Sequence, residues 1–134
     1  MSVANADNWF SFWIRHRDRL TCQRCLRRFI LAELDCSHLW PGRHRAVRWD
    51  PDNAAAMCRD CHRYLEAHPE EHKAIFRARL GEERFAALQR RKAGTAKYQD
   101  LDAIALEFRE KAAALGAFRG RGPALSTFQP GPVA

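Results

Sequence analysis

Seven residues between positions 22 and 62 have the types and spacing to do chemistry. Cys22-Gln-Arg-Cys25 and Cys58-Arg-Asp-Cys61 are two C-x2-C pairs, the pattern of a tetrahedral zinc site in which each pair forms a knuckle and four thiolates complete the shell. The alternative, four unrelated buried thiols, fits the regular spacing poorly. The spacer of 32 residues is longer than a zinc ribbon uses, so something is built inside the zinc loop. Inside it lie His38 and Asn53, and His62 directly follows the closing cysteine. A phosphodiester hydrolase needs a base to activate water and a divalent cation to bind phosphate oxygen. It also needs a group that fixes the segment around the base. A neutral histidine at a strand end, a histidine on a helix and a bridging asparagine supply these parts. With four thiolates the zinc shell is full, which makes that ion structural rather than catalytic.

These residues must be positioned by a small fold. The chain has 134 residues, enough for one domain with extensions, and 46% of them are hydrophobic. A core of this size often relies on a metal staple. Residues 7–20 read as an amphipathic helix with Asp7 as N-cap and Trp9, Phe12, Trp13 and Leu20 at helical spacing. The aromatics are read as core cover for the zinc module rather than as stacking groups. Phe29-Ile30-Leu31 looks strand-like, and a strand over 32–40 runs into a turn at Pro41-Gly42, with His38 near its end. Residues 41–52 read as a basic loop, closed by the turn-forming Asp50-Pro51-Asp52-Asn53. A helix is expected from about Cys58, stopped before Pro69, which then opens another. Gly81 punctuates that helix as a C-cap, a further helix runs over 82–92, and Gly94 ends it. Leu101, Ile104, Ala105, Phe108, Ala112 and Leu115 trace one stripe of a last helix over 99–115, which could pack on the module or join two chains as a homodimer. From Gly116 onward come four of the seven glycines and three of the six prolines, and 116–134 reads as a flexible tail. The expected architecture is therefore α+β. Its parts are a zinc-stapled core with an N-terminal helix over 1–68, a helical extension over 69–115 and a tail over 116–134.

Charge points to the partner. Formal net charge is +7 and the pI is about 9.6, a balance that suits nucleic acid. Arg43, Arg45 and Arg48 crowd the loop beside the candidate site and suit phosphate oxygens. No apolar run approaches the roughly 18 residues of a membrane span. No basic-then-apolar leader pattern opens the sequence, so a reducing cytoplasm is expected, where paired C-x2-C means zinc rather than disulfide.

The combined pattern of Cys22-x2-Cys25, Ser37-His38, Asn53 and Cys58-x2-Cys61-His62 resembles the HNH endonucleases of the ββα-metal fold, in the subgroup with a four-cysteine zinc site. More narrowly, Cys36-Ser-His-Leu-Trp, Arg48-Trp-Asp-Pro-Asp-Asn and Cys58-x2-Cys-His resemble phage HNH proteins related to the NinG-type recombination nucleases. The resemblance covers residues 22–68. It implies a metal-dependent endonuclease hydrolysing DNA to a 5′-phosphate and a 3′-hydroxyl with little sequence specificity, in a host cytoplasm if phage-encoded. It implies His38 as general base, Asn53 as organiser of the loop and His62 as ligand of a catalytic Mg2+ or Mn2+. Cys22, Cys25, Cys58 and Cys61 would hold the structural Zn2+. One departure stands out. Many members carry Asp before the first histidine as a second metal ligand, and this chain has Ser37. Asp35, on the same strand face, and Glu66, one helical turn after His62, are the candidate replacements. The competing expectation is a catalytically inactive zinc module that binds nucleic acid or a partner protein. For single residues, His62 replacing Cys61 on zinc is the lesser alternative. His44, His68 and His72 read as surface residues, Cys36 as a small buried apolar group, and Trp40 and Trp49 as core.

Overall fold

The computed structural model describes residues 2–96 and 98–118. The first helix, α1 (Val3–Arg17), begins earlier than the aromatic spacing suggested. Ser2 is its N-cap, with Oγ accepting the Asn5 amide at 3.0 Å. Asp7 instead sits inside the helix and pairs with Arg48 at 2.6 Å. The helix stops before Leu20, because Arg19 and Leu20 adopt positive φ and turn the chain into the first cysteine knuckle. Burial almost all round α1 follows from its place between the sheet and the last helix: Ala6, Trp9, Phe10, Phe12, Ile14 and even Arg15 are buried.

The knuckle after α1 is docked onto the sheet by main-chain bonds. The Gln23 amide donates to the Ala56 carbonyl at 2.9 Å, and the Ala56 amide donates to Asp18 Oδ2 at 2.9 Å. Phe29-Ile30-Leu31 is not a strand. Arg28 makes an isolated bridge with Thr21, Ile30 is exposed, and Leu31–Glu33 is a 3-10 turn. The sheet has two antiparallel strands, β1 (Leu34–His38) and β2 (Ala54–Cys58), with His38 opposite Ala54 and Leu34 opposite Cys58. Both strands are buried along their whole length, and the small side chains of Ala54-Ala55-Ala56 let helices approach from both sides.

Between the strands, the loop contains 3-10 turns at Arg45–Val47 and Pro51–Asn53. Its closing turn is clamped twice. Arg17 donates to the carbonyls of Pro51 and Ala54, each at 2.8 Å. Arg91 grips Asp50 and Asp52 at 2.7 and 3.2 Å. Helix α2 (Arg59–Glu66) follows β2 directly, and α3 (Pro69–Ala93) starts on Pro69. Gly81 breaks α3 internally, with φ of 80°. A side chain there would meet no neighbour, so the requirement for glycine is one of backbone conformation.

The last helix, α4 (Leu101–Ala114), lays Ala105, Phe108 and Ala112 against α1. The apolar stripe read from the sequence is thus used inside the chain. Phe108 meets Phe10 edge-on at 4.8 Å and Trp13 at 5.4 Å. We expect Phe108→Ala to cost about 3–5 kcal/mol, because a fully packed ring leaves a cavity between two helices. Thermal unfolding with zinc content measured in parallel checks this; an unchanged Tm would show that α4 contributes nothing. Of the tail reading over 116–134, all but residues 116–118 lie outside the described residues.

Candidate active site

Asn53 has no exposed surface and makes three hydrogen bonds across the loop. Its Nδ2 donates to the carbonyls of Trp40 and Val47, each at 3.0 Å, and its Oδ1 accepts the Trp40 amide at 2.9 Å. One amide side chain thus ties the start of the loop to its middle and its end. A carboxylate could not donate these bonds, and an aliphatic residue would strand three buried main-chain groups.

His38 ends β1 with its ring 5.7 Å from Phe10. Its Nε2 lies 2.8 Å from the Arg48 carbonyl. A carbonyl only accepts, so Nε2 carries the proton and Nδ1 holds the lone pair. Nδ1 is buried and has no hydrogen-bond partner. Burial lowers the His38 pKa below its ordinary value, outweighing the Arg48 carbonyl, which raises it, so the ring is neutral at pH 7. A neutral imidazole with one nitrogen pinned and an uncommitted lone pair on the other is the equipment of a base.

On the opposite face of β1, Asp35 and Ser37 point toward α2 and α3. Asp35 Oδ2 lies 3.0 Å from His62 Nδ1, and both side chains are 3% exposed. A carboxylate accepts, so Nδ1 is a protonated nitrogen that donates to Asp35. Nε2 is buried without a hydrogen-bond partner and lies 3.4 Å from Glu66 Oε1. Asp35 is therefore spent on orienting His62, and Glu66 is the carboxylate on the open side.

His72, read from the sequence as a surface residue, is 6% exposed. Helix α3 turns back over β1 and sets His72 Nε2 3.4 Å from Ser37 Oγ. Pro69 does not separate it from the site, since Pro69 is the first residue of α3 and the His72 amide donates to the His68 carbonyl at 3.1 Å. No short-range signal marked this residue; only the packing of α3 on the sheet reveals it. His68 is exposed and stacks on Tyr64, and His44 is half-buried. His38, Trp40, Glu66, His72 and Lys73 line one cleft of about 360 Å³.

Burial lowers the His72 pKa from 6.5 to about 4, with the charge of His62 acting in the same direction. The unfolded chain binds this proton below pH 6.5 and the folded chain only near pH 4. Stability is therefore complete above 6.5 and is lost as pH falls toward 4. The loss is up to about 3 kcal/mol at 1.36 kcal/mol per pKa unit. Acid unfolding of zinc-loaded protein beside His72→Phe measures it. Identical acid limbs in the two proteins would refute the assignment.

The four cysteines Cys22, Cys25, Cys58 and Cys61 bring their sulfurs within 4.8 Å of one another, the only such cluster among the described residues. A compact set of four thiols from two knuckles fits a tetrahedral zinc ion, and His62 is not needed there. Burial pushes the Cys22 thiol up, but amides of Cys25, Cys58 and Arg24 aimed at its sulfur bring it down to about 7. Cys58 is pushed up to about 12, mainly by burial. Arg24 donates to Cys61 Sγ at 3.4 Å and lies over the Tyr64 ring. Cys36 stands apart, fully buried among apolar groups with its thiol pushed up to about 12 by burial.

The three loop arginines are used differently. Arg48 is committed to Asp7 and to the Gly42 carbonyl at 3.2 Å, and it belongs to the scaffold of the loop. Arg45 is exposed, bonds Gln99 at 3.2 Å and lies over Trp49, while Arg43 is exposed. Trp49 is core, with its indole N–H on Asp7 at 2.9 Å.

A strand pair, the helix after it and a four-cysteine metal cluster define a ββα-metal core. The family model described as HNH endonuclease matches residues 22–67, the same stretch and about a third of the chain. Residues 22–67 are thus an HNH-type domain; α1, α3 and α4 lie outside the match. Comparisons with curated proteins and with solved structures give no match. No helix among the described residues is long and apolar enough to cross a membrane.

Proposed function

We propose that the protein is a metal-dependent HNH endonuclease that hydrolyses DNA phosphodiester bonds. The observation that carries this reading is His38, which lines the cleft that Glu66 also lines and has Nε2–H fixed on the Arg48 carbonyl, with Nδ1 buried and without a hydrogen-bond partner. His38 Nδ1 takes a proton from water, the resulting hydroxide attacks phosphorus, and the bond from phosphorus to the 3′ oxygen breaks, leaving a 5′-phosphate and a 3′ oxygen that takes a proton from solvent. His62 Nε2 and Glu66 are the groups that would hold Mg2+ or Mn2+; Asp35 fixes the His62 ring, as carboxylates commonly do for a ligating imidazole. Such an ion would stabilise the charge that grows on the phosphate and the leaving oxygen. Asn53 keeps the loop, and hence the Arg48 carbonyl, in place. Exposed Arg43 and Arg45 contact the DNA backbone without reading bases, which gives low sequence specificity and strong salt dependence. The zinc site is structural. The unit that acts is larger than residues 1–68, since α3 supplies His72 and Lys73 to the cleft. The NinG-type likeness would put this cutting in phage DNA recombination.

One observation favours a second reading. The oxygen and nitrogen donors around His62 do not converge as the cysteine sulfurs do, as expected of a module that binds nucleic acid without cutting it. Supercoiled plasmid incubated with the protein in EDTA, Mg2+ or Mn2+ separates the two. Nicking that requires the divalent ion supports the nuclease. A gel shift with intact DNA under all three conditions supports the binding module.

A further inference from the structure

We propose that α3 forms a second DNA-contacting wall of the cleft, with Lys73 and Lys92 taking backbone phosphates together with Arg43 of the loop. The inference rests on the reading of DNA as the partner, and it adds two residues outside the segment that the family model matches. Lys73 lines the same cleft as His38 and Glu66. Lys92 Nζ lies 5.6 Å from the centre of the Trp40 ring, and Trp40 lines that cleft as well. The break at Gly81 lets both halves of α3 reach this region, the first through Lys73 and the second through Phe85, whose ring stacks on Trp40 at 6.1 Å. On the loop side, Pro41 lines the cleft, and its carbonyl accepts the His44 amide at 2.9 Å. Partial burial lowers the His44 pKa, and the charges of Arg43 and Lys92 lower it further. The loop and the end of α3 therefore bring their cations together.

The chain supplies no counter-charge to these groups. Three other arginines of α3 are spent on carboxylates: Arg79 on Asp18 at 3.5 Å, Arg84 on Asp52, and Arg91 on Asp50 at 2.7 Å. Among the described residues, no carboxylate is within ion-pair reach of Lys73, Lys92 or Arg43. One carboxylate, Glu66, lines the cleft, and it lies 3.4 Å from His62 Nε2. Gathering like charges without a counter-charge costs free energy, and an anion that spans them recovers it. Ammonium groups bind phosphate as point charges and read no bases, so the contact is with the backbone. Lys73 holds the strand near His38, and Lys92 holds it beyond Trp40.

The test is the salt dependence of binding by the full, zinc-loaded chain to labelled duplexes of two unrelated sequences, without added divalent ion. Lys73→Gln and Lys92→Gln are each expected to lower the slope of log affinity against log salt by about 1, and the double variant by about 2, equally for both sequences. Zinc content and Tm should stay at wild-type values, and Lys73→Arg and Lys92→Arg, which keep the charge, should keep the slope. Lys111→Gln removes the same charge from α4, where Lys111 pairs with Glu107 at 3.1 Å, and should also keep it. Plasmid nicking by wild type with Mn2+ is read in parallel. If wild type binds and nicks while both lysine-to-glutamine variants on α3 keep its slope, the nuclease stands and the α3 wall is overturned. Equal losses in those variants and in Lys111→Gln overturn it too, because net charge alone would then be acting. Losses confined to Lys73→Gln and Lys92→Gln support the wall, even if no metal gives nicking, a result that sinks the nuclease reading alone. Wild type without measurable binding overturns the wall, and the nuclease with it if nicking is also absent.

Discussion

His38→Ala is expected to lower the rate of plasmid nicking by roughly 10²–10⁴-fold, the range over which a positioned general base acts. Zinc content and DNA affinity should stay near wild type, because His38 touches neither the cysteine cluster nor the exposed arginines. The rate loss should therefore fall on turnover. The pH profile gives an independent check. The base must be neutral to act, and burial lowers its pKa from 6.5. Activity is thus expected to be flat from neutral pH upward and to fall only as pH drops through a value below 6.5. A profile still rising between pH 7 and 8 would point to a different base. An alanine variant that nicks at the wild-type rate would remove His38 from the mechanism.

The same logic explains why a backbone carbonyl orients this ring. The Arg48 carbonyl cannot change protonation state, so it fixes the tautomer at any pH. The carbonyl is held in turn. Arg48 is anchored by Asp7 of α1, and Asn53 anchors the Val47 carbonyl one residue before it. α1 lies outside the segment that matches the family model, yet its Asp7 grips the side chain of the residue whose carbonyl meets His38. Substitutions in α1 should therefore reach catalysis through loop geometry as well as through stability.

The parts of the site legible in the sequence were those whose information is local. Two C-x2-C pairs can be read because each knuckle is a short-range turn with fixed ligand spacing. Asn53 after Asp50-Pro51-Asp52 can be read because turn chemistry is local too. The places where sequence reasoning stopped share one cause, a partner far along the chain. Asp35 and Glu66 were equal candidates until the fold put one on each side of His62. Arg48 looked like its neighbours Arg43 and Arg45, and only Asp7, 41 residues away, turns it inward. His72 looked like a surface histidine because its helix is polar on most faces, and its burial depends on how α3 lies on β1. The start of α1 was misplaced for the opposite reason. Asp7 is a good N-cap residue by type, but Ser2 is an equally good one and comes first.

The largest effect on stability should come from the zinc cluster. Binding free energies of structural zinc sites reach about 10–16 kcal/mol at pH 7, against a total of about 5–15 kcal/mol for an ordinary domain. Here the ion would join the knuckle after α1 to the β2–α2 junction, and the described residues offer no disulfide to take its place. Cys58→Ser is therefore expected to lose zinc and the cooperative unfolding transition of residues 22–67. Nicking should be lost with it, because His38, Asn53 and His62 depend on that sheet and helix. A strong chelator should do the same to wild type. Acid should weaken the site in a graded way. Cys58 and Cys61 keep their protons in the ion-free cluster because burial raises their pKa, so zinc must displace them to bind. Apparent zinc affinity should then fall about tenfold per pH unit for each proton displaced. Zinc per chain and the melting transition, measured together from pH 8 to 5, follow both quantities. If the melting transition of Cys58→Ser matches wild type, the cysteines are not the staple of this fold. The stability would then have to come from the α1–α4 pairing and the arginine clamps on the Asp50–Asn53 turn.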